Sequence, residues 1–184
     1  MKKNVLLLSL VALAAFGCNR PIFGGQQSNS GGTAPAPFTL ETLKNADYHF
    51  VVKELADVYP KDSLKLTNGL YYFALPQGAA RDEYLTKLDD QHVAFGDLNN
   101  DGHDDAAVIL TSMAGKDRVY PVLSVMLNQN GSAEFAAGAE LGQGVKINTL
   151  GIKDGKVEVV ETLPGSNDSK TLVYRLDGSQ LVQE

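Results

Sequence analysis

The sequence predicts a mainly β fold of the α+β class: one antiparallel β-rich domain with a short helix near its N-terminal end. Apolar runs of strand length follow one another from residue 64 to the end of the chain. Asn-Gly and Asp-Gly pairs separate several of these runs and favour tight hairpin turns. Strand-like and helix-like segments do not alternate, so a doubly wound parallel sheet is not expected.

The helix is predicted at the start of the domain. Leu40, Leu43 and Ala46 recur at helical spacing over about two turns. Thr39 precedes them as an N-cap residue, because its hydroxyl can accept a hydrogen bond from an unpaired amide of the first turn. Phe38 stands at the spacing of a hydrophobic staple to Leu43.

The first strands are predicted after a short connecting segment. Residues 51–59 form either a helical turn or a loop, which Pro60 ends. Beyond them, residues 64–66 and 70–73 flank an Asn-Gly pair, which predicts a hairpin.

Longer apolar runs predict the middle of the sheet. Residues 106–110 are apolar throughout, which predicts a central strand covered on both faces. Residues 119–127 predict another strand, in which Pro121 indicates an edge or a bulge.

Three more hairpins are predicted towards the C-terminus, at Asn130-Gly131, Asp154-Gly155 and Asp177-Gly178. Around the last two, apolar residues alternate with polar ones, which is typical of a half-buried antiparallel sheet. The alternating apolar positions are Val157, Val159, Leu172, Tyr174 and Leu176.

Residues 1–17 are predicted to be a signal peptide. Lys2 and Lys3 supply its positive start, and residues 5–16 form an apolar run of 12 residues interrupted only by Ser9. Because a bilayer span needs about 20 apolar residues, this run is too short for a transmembrane helix.

The residues Ala15-Phe16-Gly17-Cys18 resemble the lipobox of bacterial lipoproteins, and Cys18 is the only cysteine of the chain. The resemblance implies cleavage before Cys18, lipidation of that residue and a membrane anchor in the cell envelope. Asn19 is not the Asp that retains such proteins on an inner membrane, so the outer membrane is implied for a host that has one. The alternative is an ordinary secretory signal that leaves Cys18 as a free thiol.

Residues 18–37 are predicted to be a flexible tether after the lipidated cysteine. Gly, Ser, Gln, Asn and Pro dominate this segment, which cannot bury enough apolar surface to offset its ordering entropy. Its root-mean-square reach is about 25 Å. The globular domain is therefore expected at residues 38–184, held clear of the lipid head groups.

The charge balance and the histidines limit the expected partners. The chain has 16 Lys and Arg against 22 Asp and Glu, with a formal net charge of -6. An acidic surface repels phosphate, so nucleic acid is not an expected partner. The protein is expected to be a monomer. His49, His92 and His103 are isolated in sequence and no Cys pair exists, so a zinc site is not expected. His49 and His92 are expected to be structural, and Asp89-Asp90 to lie in a solvated turn.

One motif carries chemistry. Counting from Asp97, residues with side-chain oxygens stand at positions 1, 3, 5 and 9, and Gly102 stands at position 6, where a tight loop needs unusual backbone angles. Hard oxygen ligands at alternate positions are typical of a Ca²⁺ loop, in which a backbone carbonyl serves at position 7. The predicted ligands of a structural Ca²⁺ are Asp97, Asn99, Asp101, His103 (through its carbonyl) and Asp105. The alternative is an acidic turn that binds no metal.

This loop, residues 97–105, departs from an EF-hand, because Val108 stands at position 12 in place of the bidentate Glu. Its layout, with Phe95-Gly96 before it and an apolar strand after it, resembles the FG-GAP repeat of integrin-type propellers. A propeller needs several blades and the sequence has one copy, so the fold is not expected to be a propeller. The stretch from residue 64 to residue 148 is also similar to uncharacterised bacterial secreted proteins with one such loop, which implies an architecture and no activity.

The expected function follows from the anchor and the loop. The chain is interpreted as a lipid-anchored, non-enzymatic domain of the cell envelope, stabilised by Ca²⁺, that binds or scaffolds a protein or glycan. An adhesion or carbohydrate-binding module and an envelope hydrolase with dispersed active-site residues are the alternatives. Tyr71-Tyr72-Phe73 is expected to be strand core, whereas an exposed Tyr72 would favour ligand stacking.

Overall fold

A computed structural model describes residues 38–59, 63–73, 77–80 and 83–184. The predicted signal peptide, the predicted lipidation site Cys18, the predicted tether and Pro60 lie outside these residues. Within them the chain is mostly antiparallel strand, with helix confined to its first part, so the predicted fold class is confirmed.

The helical elements are α1 (Leu40–Lys44) and a 3₁₀ turn (Lys53–Leu55). The strands are β1 (Asp47–His49), β2 (Ser63–Lys65), β3 (Leu70–Tyr72), β4 (Tyr84–Gly96), β5 (Asp105–Ala114), β6 (Val119–Gln129), β7 (Ser132–Glu140), β8 (Lys146–Lys153), β9 (Lys156–Thr162), β10 (Ser169–Asp177) and β11 (Gln180–Gln183). In the described part of the chain, β3 to β7 form a five-stranded sheet in chain order, β8 to β11 form a four-stranded sheet, and β1 pairs with β2. These open sheets do not make a propeller.

Helix α1 begins as predicted and ends early. The Thr39 hydroxyl accepts a hydrogen bond from the Thr42 amide at 3.4 Å, and the Thr42 hydroxyl accepts one from the Thr39 amide at 3.4 Å. The helix has five residues, fewer than two turns, because the Asn45 side chain donates to the Glu41 carbonyl at 3.1 Å and β1 starts at Asp47. No helix among the described residues is long and apolar enough to cross a membrane.

The prediction of a hairpin around Asn68-Gly69 is correct for the turn and wrong for the pairing of the two strands beside it. The turn itself is present: Thr67 and Leu70 exchange backbone hydrogen bonds, and Asn68 and Gly69 have φ angles of 52° and 79°. However, β2 pairs with β1 and β3 pairs with β4. The strands diverge because β2 buries its apolar side chains among the N-terminal elements, whereas β3 completes one edge of the five-stranded sheet.

The five-stranded sheet is covered on both faces, as its central apolar run predicts. Ala106, Val108 and Leu110 of β5 face one core, and Ala107 and Ile109 face another. The N-terminal core joins this sheet to α1, β1, β2 and the 3₁₀ turn, and includes Leu43, Tyr48, Val52, Leu55 and Leu66. The inter-sheet core joins it to the four-stranded sheet, and includes Leu98, Leu123, Val125, Val157, Val159, Leu172 and Tyr174.

Strand β6 lies between β5 and β7, so Pro121 does not mark an edge strand. The Pro121 carbonyl accepts a hydrogen bond from the amide of Leu141, which lies one residue past the end of β7. In an antiparallel strand the amide and the carbonyl of one residue point towards the same neighbouring strand. The N–H that Pro121 lacks would therefore point towards β7, at the position where the pairing of β6 with β7 ends. The bulge in this strand pair lies elsewhere, between Val125 and Met126.

The three C-terminal hairpins are confirmed. They join β6 to β7, β8 to β9 and β10 to β11, each with two residues between the last paired positions. In the third hairpin those two residues are Gly178 and Ser179, so Asp177 belongs to the strand. The alternation in β9 and β10 is also confirmed, since Val157, Val159, Leu172 and Tyr174 are buried between the sheets.

Candidate metal centre

Loop 97–105 connects two neighbouring strands at one end of the five-stranded sheet. Gly96 is the last residue of β4 and pairs with Asp105, the first residue of β5. The loop therefore begins and ends at paired residues of β4 and β5. The predicted ligands Asp97, Asn99 and Asp101 lie between these two paired residues.

The loop is wound around the oxygens of its own side chains. Asp97 Oδ1 accepts hydrogen bonds from the amides of Asn100 at 2.7 Å and Asp101 at 3.2 Å, and Asp97 Oδ2 accepts one from Gly102 at 3.0 Å. Asn99 Oδ1 accepts from the Asp101 amide at 2.9 Å. These contacts turn the backbone of the first six positions about the Asp97 carboxylate.

Two residues of the loop adopt left-handed backbone angles. Gly102 has a φ of 84°, which confirms that position 6 needs an unusual conformation. Asn100 has a φ of 62°, a conformation that Asn tolerates better than most residues. The sharp turn that the spacing predicts is therefore present.

Asp101 and His103 interact at the exposed side of the loop. Asp101 Oδ1 accepts a hydrogen bond from the His103 amide at 2.8 Å and lies 3.3 Å from His103 Nδ1. The hydrogen bond from the Asn99 side chain, followed by that from the His103 amide, lowers the pKa of Asp101. The His103 ring is mostly exposed, so only its backbone carbonyl remains a candidate ligand.

Asp105 closes the loop from inside the protein. Its side chain is fully buried, and its two carboxylate oxygens accept hydrogen bonds from the amides of Leu98 and Asn128, both at 3.0 Å. Burial raises the pKa of Asp105, and the nearby charges of Asp101 and Asp97 add to that rise against the lowering effect of the two amides. Asp105 thus joins both ends of the loop to β6.

Asn128 belongs to this site although sequence reasoning did not select it. Its side-chain amide donates to the Asp104 carbonyl at 3.1 Å, and its side-chain oxygen accepts from the Gly131 amide at 2.7 Å. Asn128 therefore ties the loop to the β6–β7 hairpin. Asn128 lies within the stretch that is similar to secreted proteins, but no spacing rule selects it, because its partner Asp105 lies 23 residues away.

The loop also contacts the four-stranded sheet. Leu98 is buried in the inter-sheet core, although both of its sequence neighbours are polar. A Cβ atom on Gly96 would lie 2.7 Å from Ile152 Cγ2, and one on Gly155 would lie 3.8 Å from the Asp97 carbonyl oxygen. The loop therefore sits against the β8–β9 hairpin.

The available donors are carboxylate, amide and carbonyl oxygens, which are ligands for a hard cation. They come from Asp97, Asn99, Asp101, the His103 carbonyl and Asp105. Among the described residues, no three His, Cys, Asp or Glu side chains form a ready metal-binding group. An ion here would therefore draw on the Asn99 amide and the His103 carbonyl as well as on carboxylates.

Other residues singled out in the sequence lie in structural contacts. His49 stacks on Phe135 with ring centroids 4.6 Å apart. His92 Nδ1 lies 2.8 Å from an Asp89 carboxylate oxygen. Asp89 and Asp90 lie within β4, at its bulge, so the predicted solvated turn is wrong, and Asp90 pairs with Lys44.

A carboxyl pair that the sequence did not indicate lies beside the 3₁₀ turn. Burial, followed by the hydrogen bond to Glu54 and the negative charge of Glu54, raises the pKa of Glu140 to about 7, while Lys53 opposes the rise. The pair joins the segment before β2 to the end of β7. No spacing rule brings these two residues together, because the tertiary fold alone makes them neighbours.

We expect Glu140→Gln to flatten the pH dependence of stability. With its folded pKa above its unfolded value, Glu140 keeps a proton in the folded state that the unfolded chain releases. The parent protein should therefore lose about 1 kcal/mol more than the variant between about pH 5 and pH 8, after allowance for solvent screening. Urea denaturation across this range measures the difference.

Glu134→Gln on the same strand is the matched control and should keep the parent's pH profile. Identical profiles for the parent and Glu140→Gln would show that the carboxyl pair does not hold a proton.

No protein-family model, curated protein or solved structure matches this chain.

Proposed function

We propose that this protein is a lipid-anchored, non-enzymatic component of the cell envelope whose β-rich domain is stabilised by one Ca²⁺ in loop 97–105. The domain would bind or scaffold another envelope molecule. The observation that carries the proposal is the winding of the loop around Asp97 and its closure by the buried Asp105 carboxylate. The signal-like N-terminus and the lipobox-like residues before Cys18 support the anchor.

Charge favours a divalent cation in the loop. The carboxylates of Asp97, Asp101 and Asp105 are close enough to repel one another, as the electrostatic effect on Asp105 indicates. A bound Ca²⁺ would offset that repulsion with the hard oxygen ligands it prefers. The mixed set of carboxylates, an amide and a carbonyl suits the larger coordination number of Ca²⁺ better than the strict octahedron of Mg²⁺.

The position of the loop supports a structural role for the ion. Asp105 and Asn128 connect the loop to β6, and Leu98 and Gly96 connect it to the four-stranded sheet. An ion held by the loop would therefore stabilise contacts of both sheets. Binding to the folded state alone contributes about 2.7 kcal/mol when free Ca²⁺ is a hundred times its Kd.

Calorimetric titration of Ca²⁺ into metal-stripped, full-length protein tests the ion site. We expect one site per chain, with affinity at least about tenfold weaker in Asp101→Ala, because a charged ligand is removed. Asp168→Ala removes an exposed carboxylate outside the loop and should bind Ca²⁺ like the parent. Absence of binding, or equal affinity in Asp101→Ala, would contradict the proposal.

Replacing the cysteine tests the anchor. Cys18→Ser should move the protein from the membrane fraction to the soluble fraction of expressing cells, because the thiol that would carry the lipid is gone. Mass spectrometry of the parent should show the added acyl groups on Cys18. Retention of Cys18→Ser in the membrane fraction would refute the lipobox interpretation.

A further inference from the structure

A groove of about 490 Å³ lies between strand β7 and the segment that contains the 3₁₀ turn. A Cβ atom on Gly138 would lie 3.1 Å from Val51 Cγ1, so the two walls meet at this point. Most of the side chains around the groove are apolar, and it can accept an apolar side chain of a ligand. The groove is lined by Phe50, Val51, Val52, Lys53, Ala56 and Gly138.

Strand β7 is an edge of the five-stranded sheet, and β6 pairs with it on one side. The Leu141 amide donates to the Pro121 carbonyl, so the backbone groups of Leu141 point towards β6. Because successive residues of a strand point in alternate directions, the N–H and C=O of Gly138 and Glu140 point away from β6. Apart from the ladder with β6, no hydrogen bond to the backbone of either residue is present among the described residues. The edge therefore offers two donors and two acceptors beside the groove.

The opposite wall of the groove is fixed by contacts with the rest of the domain. The Arg118 guanidinium donates to the Asp57 carboxylate at 2.6 Å and to the Glu54 carbonyl at 2.7 Å. The Phe50 ring stacks on the Tyr59 ring, with centroids 3.5 Å apart. A ligand would therefore meet a preformed surface, which lowers the entropy cost of binding.

The charges beside the groove favour a basic ligand. Glu54 follows the groove residue Lys53, and Glu140 lies two residues from Gly138 on the same face of β7. Two carboxylates of the carboxyl pair thus stand against the one ammonium group of Lys53, while Arg118 is already paired with Asp57. A basic side chain would offset the repulsion within the carboxyl pair, whereas an acidic one would add to it.

An extended peptide segment has the groups that these features require. Its backbone can pair with the open edge of β7 by strand addition. Its side chains alternate between the two faces, so residues two positions apart meet the same face of the sheet. A residue opposite Gly138 would place its side chain in the apolar groove, and a residue opposite Glu140 would reach the carboxyl pair.

We infer that the edge of β7 binds an extended segment of a partner protein in which an apolar residue and a Lys or Arg stand two positions apart. The segment adds a sixth strand to the five-stranded sheet. This inference names a partner class for the proposed binding role and rests on that role. It does not depend on the ion, because no residue of the groove or of the carboxyl pair belongs to loop 97–105.

Panning a random library of ten-residue peptides on the full-length protein tests the inference. We expect the enriched peptides to share an apolar residue two positions from a Lys or Arg, and to bind equally in Ca²⁺ and in EDTA. Binding in EDTA separates this inference from the proposed ion site, whose failure would leave peptide binding unchanged.

Methylation of the peptide nitrogens tests strand addition itself. N-methyl groups at alternate positions remove the N–H groups that face β7 and should weaken binding at least about tenfold. The same groups at the intervening positions, which face away from β7, should change the affinity less than about threefold.

Reversing one charge tests the carboxyl pair. Glu54→Lys changes an exposed residue beside the groove and should weaken binding of the enriched peptides about tenfold. Asp168→Lys makes the same change of charge at an exposed position between β9 and β10 and should bind like the parent. Circular dichroism establishes that each variant is folded. If Glu54→Lys fails to fold, the two methylation patterns measured on the parent decide the question.

The inference is overturned if no peptide is enriched, if the enriched peptides are acidic or lack the apolar and basic pair, or if both methylation patterns weaken binding equally. A folded Glu54→Lys that binds the peptides like the parent would also overturn it. So would a dimer of the protein that Glu54→Lys disrupts in place of any peptide complex, since a second copy would then occupy the edge.

Discussion

Asp105→Ala should lower the free energy of unfolding by about 3 kcal/mol in a chelating buffer, where no ion contributes. The Asp105 carboxylate is fully buried and accepts hydrogen bonds from the amides of Leu98 and Asn128. Its removal leaves both amides without their acceptor, and the Leu98 amide lies at a buried position. Chemical denaturation of the parent and the variant measures the loss, which should be larger in Ca²⁺ if Asp105 is also a ligand.

The neighbouring Asp104 provides the matched control. Its side chain is exposed, and within the described part of the chain its carbonyl accepts a hydrogen bond from Asn128. Asp104→Ala should therefore change the free energy of unfolding by less than about 0.5 kcal/mol. Equal losses for the two variants would mean that charge in the loop, and not the buried contacts of Asp105, determines its stability.

Gly96→Ala should destabilise the protein by about 2 kcal/mol, because the added methyl group overpacks the contact between the sheets. A Cβ atom at this position would lie 2.7 Å from Cγ2 and 3.2 Å from Cβ of Ile152. These atoms are close to the backbone of a β-branched residue, so the side chain cannot move aside by a simple rotation. Thermal and chemical denaturation of the parent and variant check the loss.

Gly151→Ala is the matched control. Gly151 precedes Ile152 in β8, and a Cβ atom at this position would have nothing but its chain neighbours within 4 Å. The substitution should leave stability unchanged or raise it slightly. The cost of Gly96→Ala should also shrink in an Ile152→Ala background, since the clashing side chain is then absent. If Gly96→Ala lowers the free energy of unfolding equally in the parent and in Ile152→Ala, the destabilisation does not come from the contact with Ile152.

The sequence was sufficient for features that depend on local pattern. The Thr39 cap, the turn at Asn68-Gly69, the three C-terminal hairpins and the left-handed Gly102 all follow from short-range chemistry. The apolar run 106–110 also indicated coverage on both faces, because a continuous apolar strand must bury alternate side chains in opposite directions.

Pairing partners were harder to predict, because they depend on which core a strand joins. The turn at Asn68-Gly69 is compatible with a hairpin, yet β2 is recruited by β1. The proline of β6 was compatible with an edge, yet it sits at the point where β7 ends. In both cases a correct local preference did not determine the neighbouring strand.

The candidate site shows the same division. The spacing of Asp97, Asn99 and Asp101 marked the loop, but Asn128 and the buried environment of Asp105 depend on contacts with β6. The Glu54–Glu140 pair and the exposure of Tyr72 likewise arise from tertiary packing. A single sequence offers no periodicity that would reveal such contacts.

A thermal melt of the full-length protein in Ca²⁺, Mg²⁺ and EDTA tests the proposed ion site most directly. We expect the melting temperature to rise by several degrees in saturating Ca²⁺ relative to EDTA, with a smaller rise in Mg²⁺. Elemental analysis of the EDTA-treated sample must show that it is free of metal. Equal melting temperatures in Ca²⁺ and in the metal-free state would contradict a structural Ca²⁺ in loop 97–105.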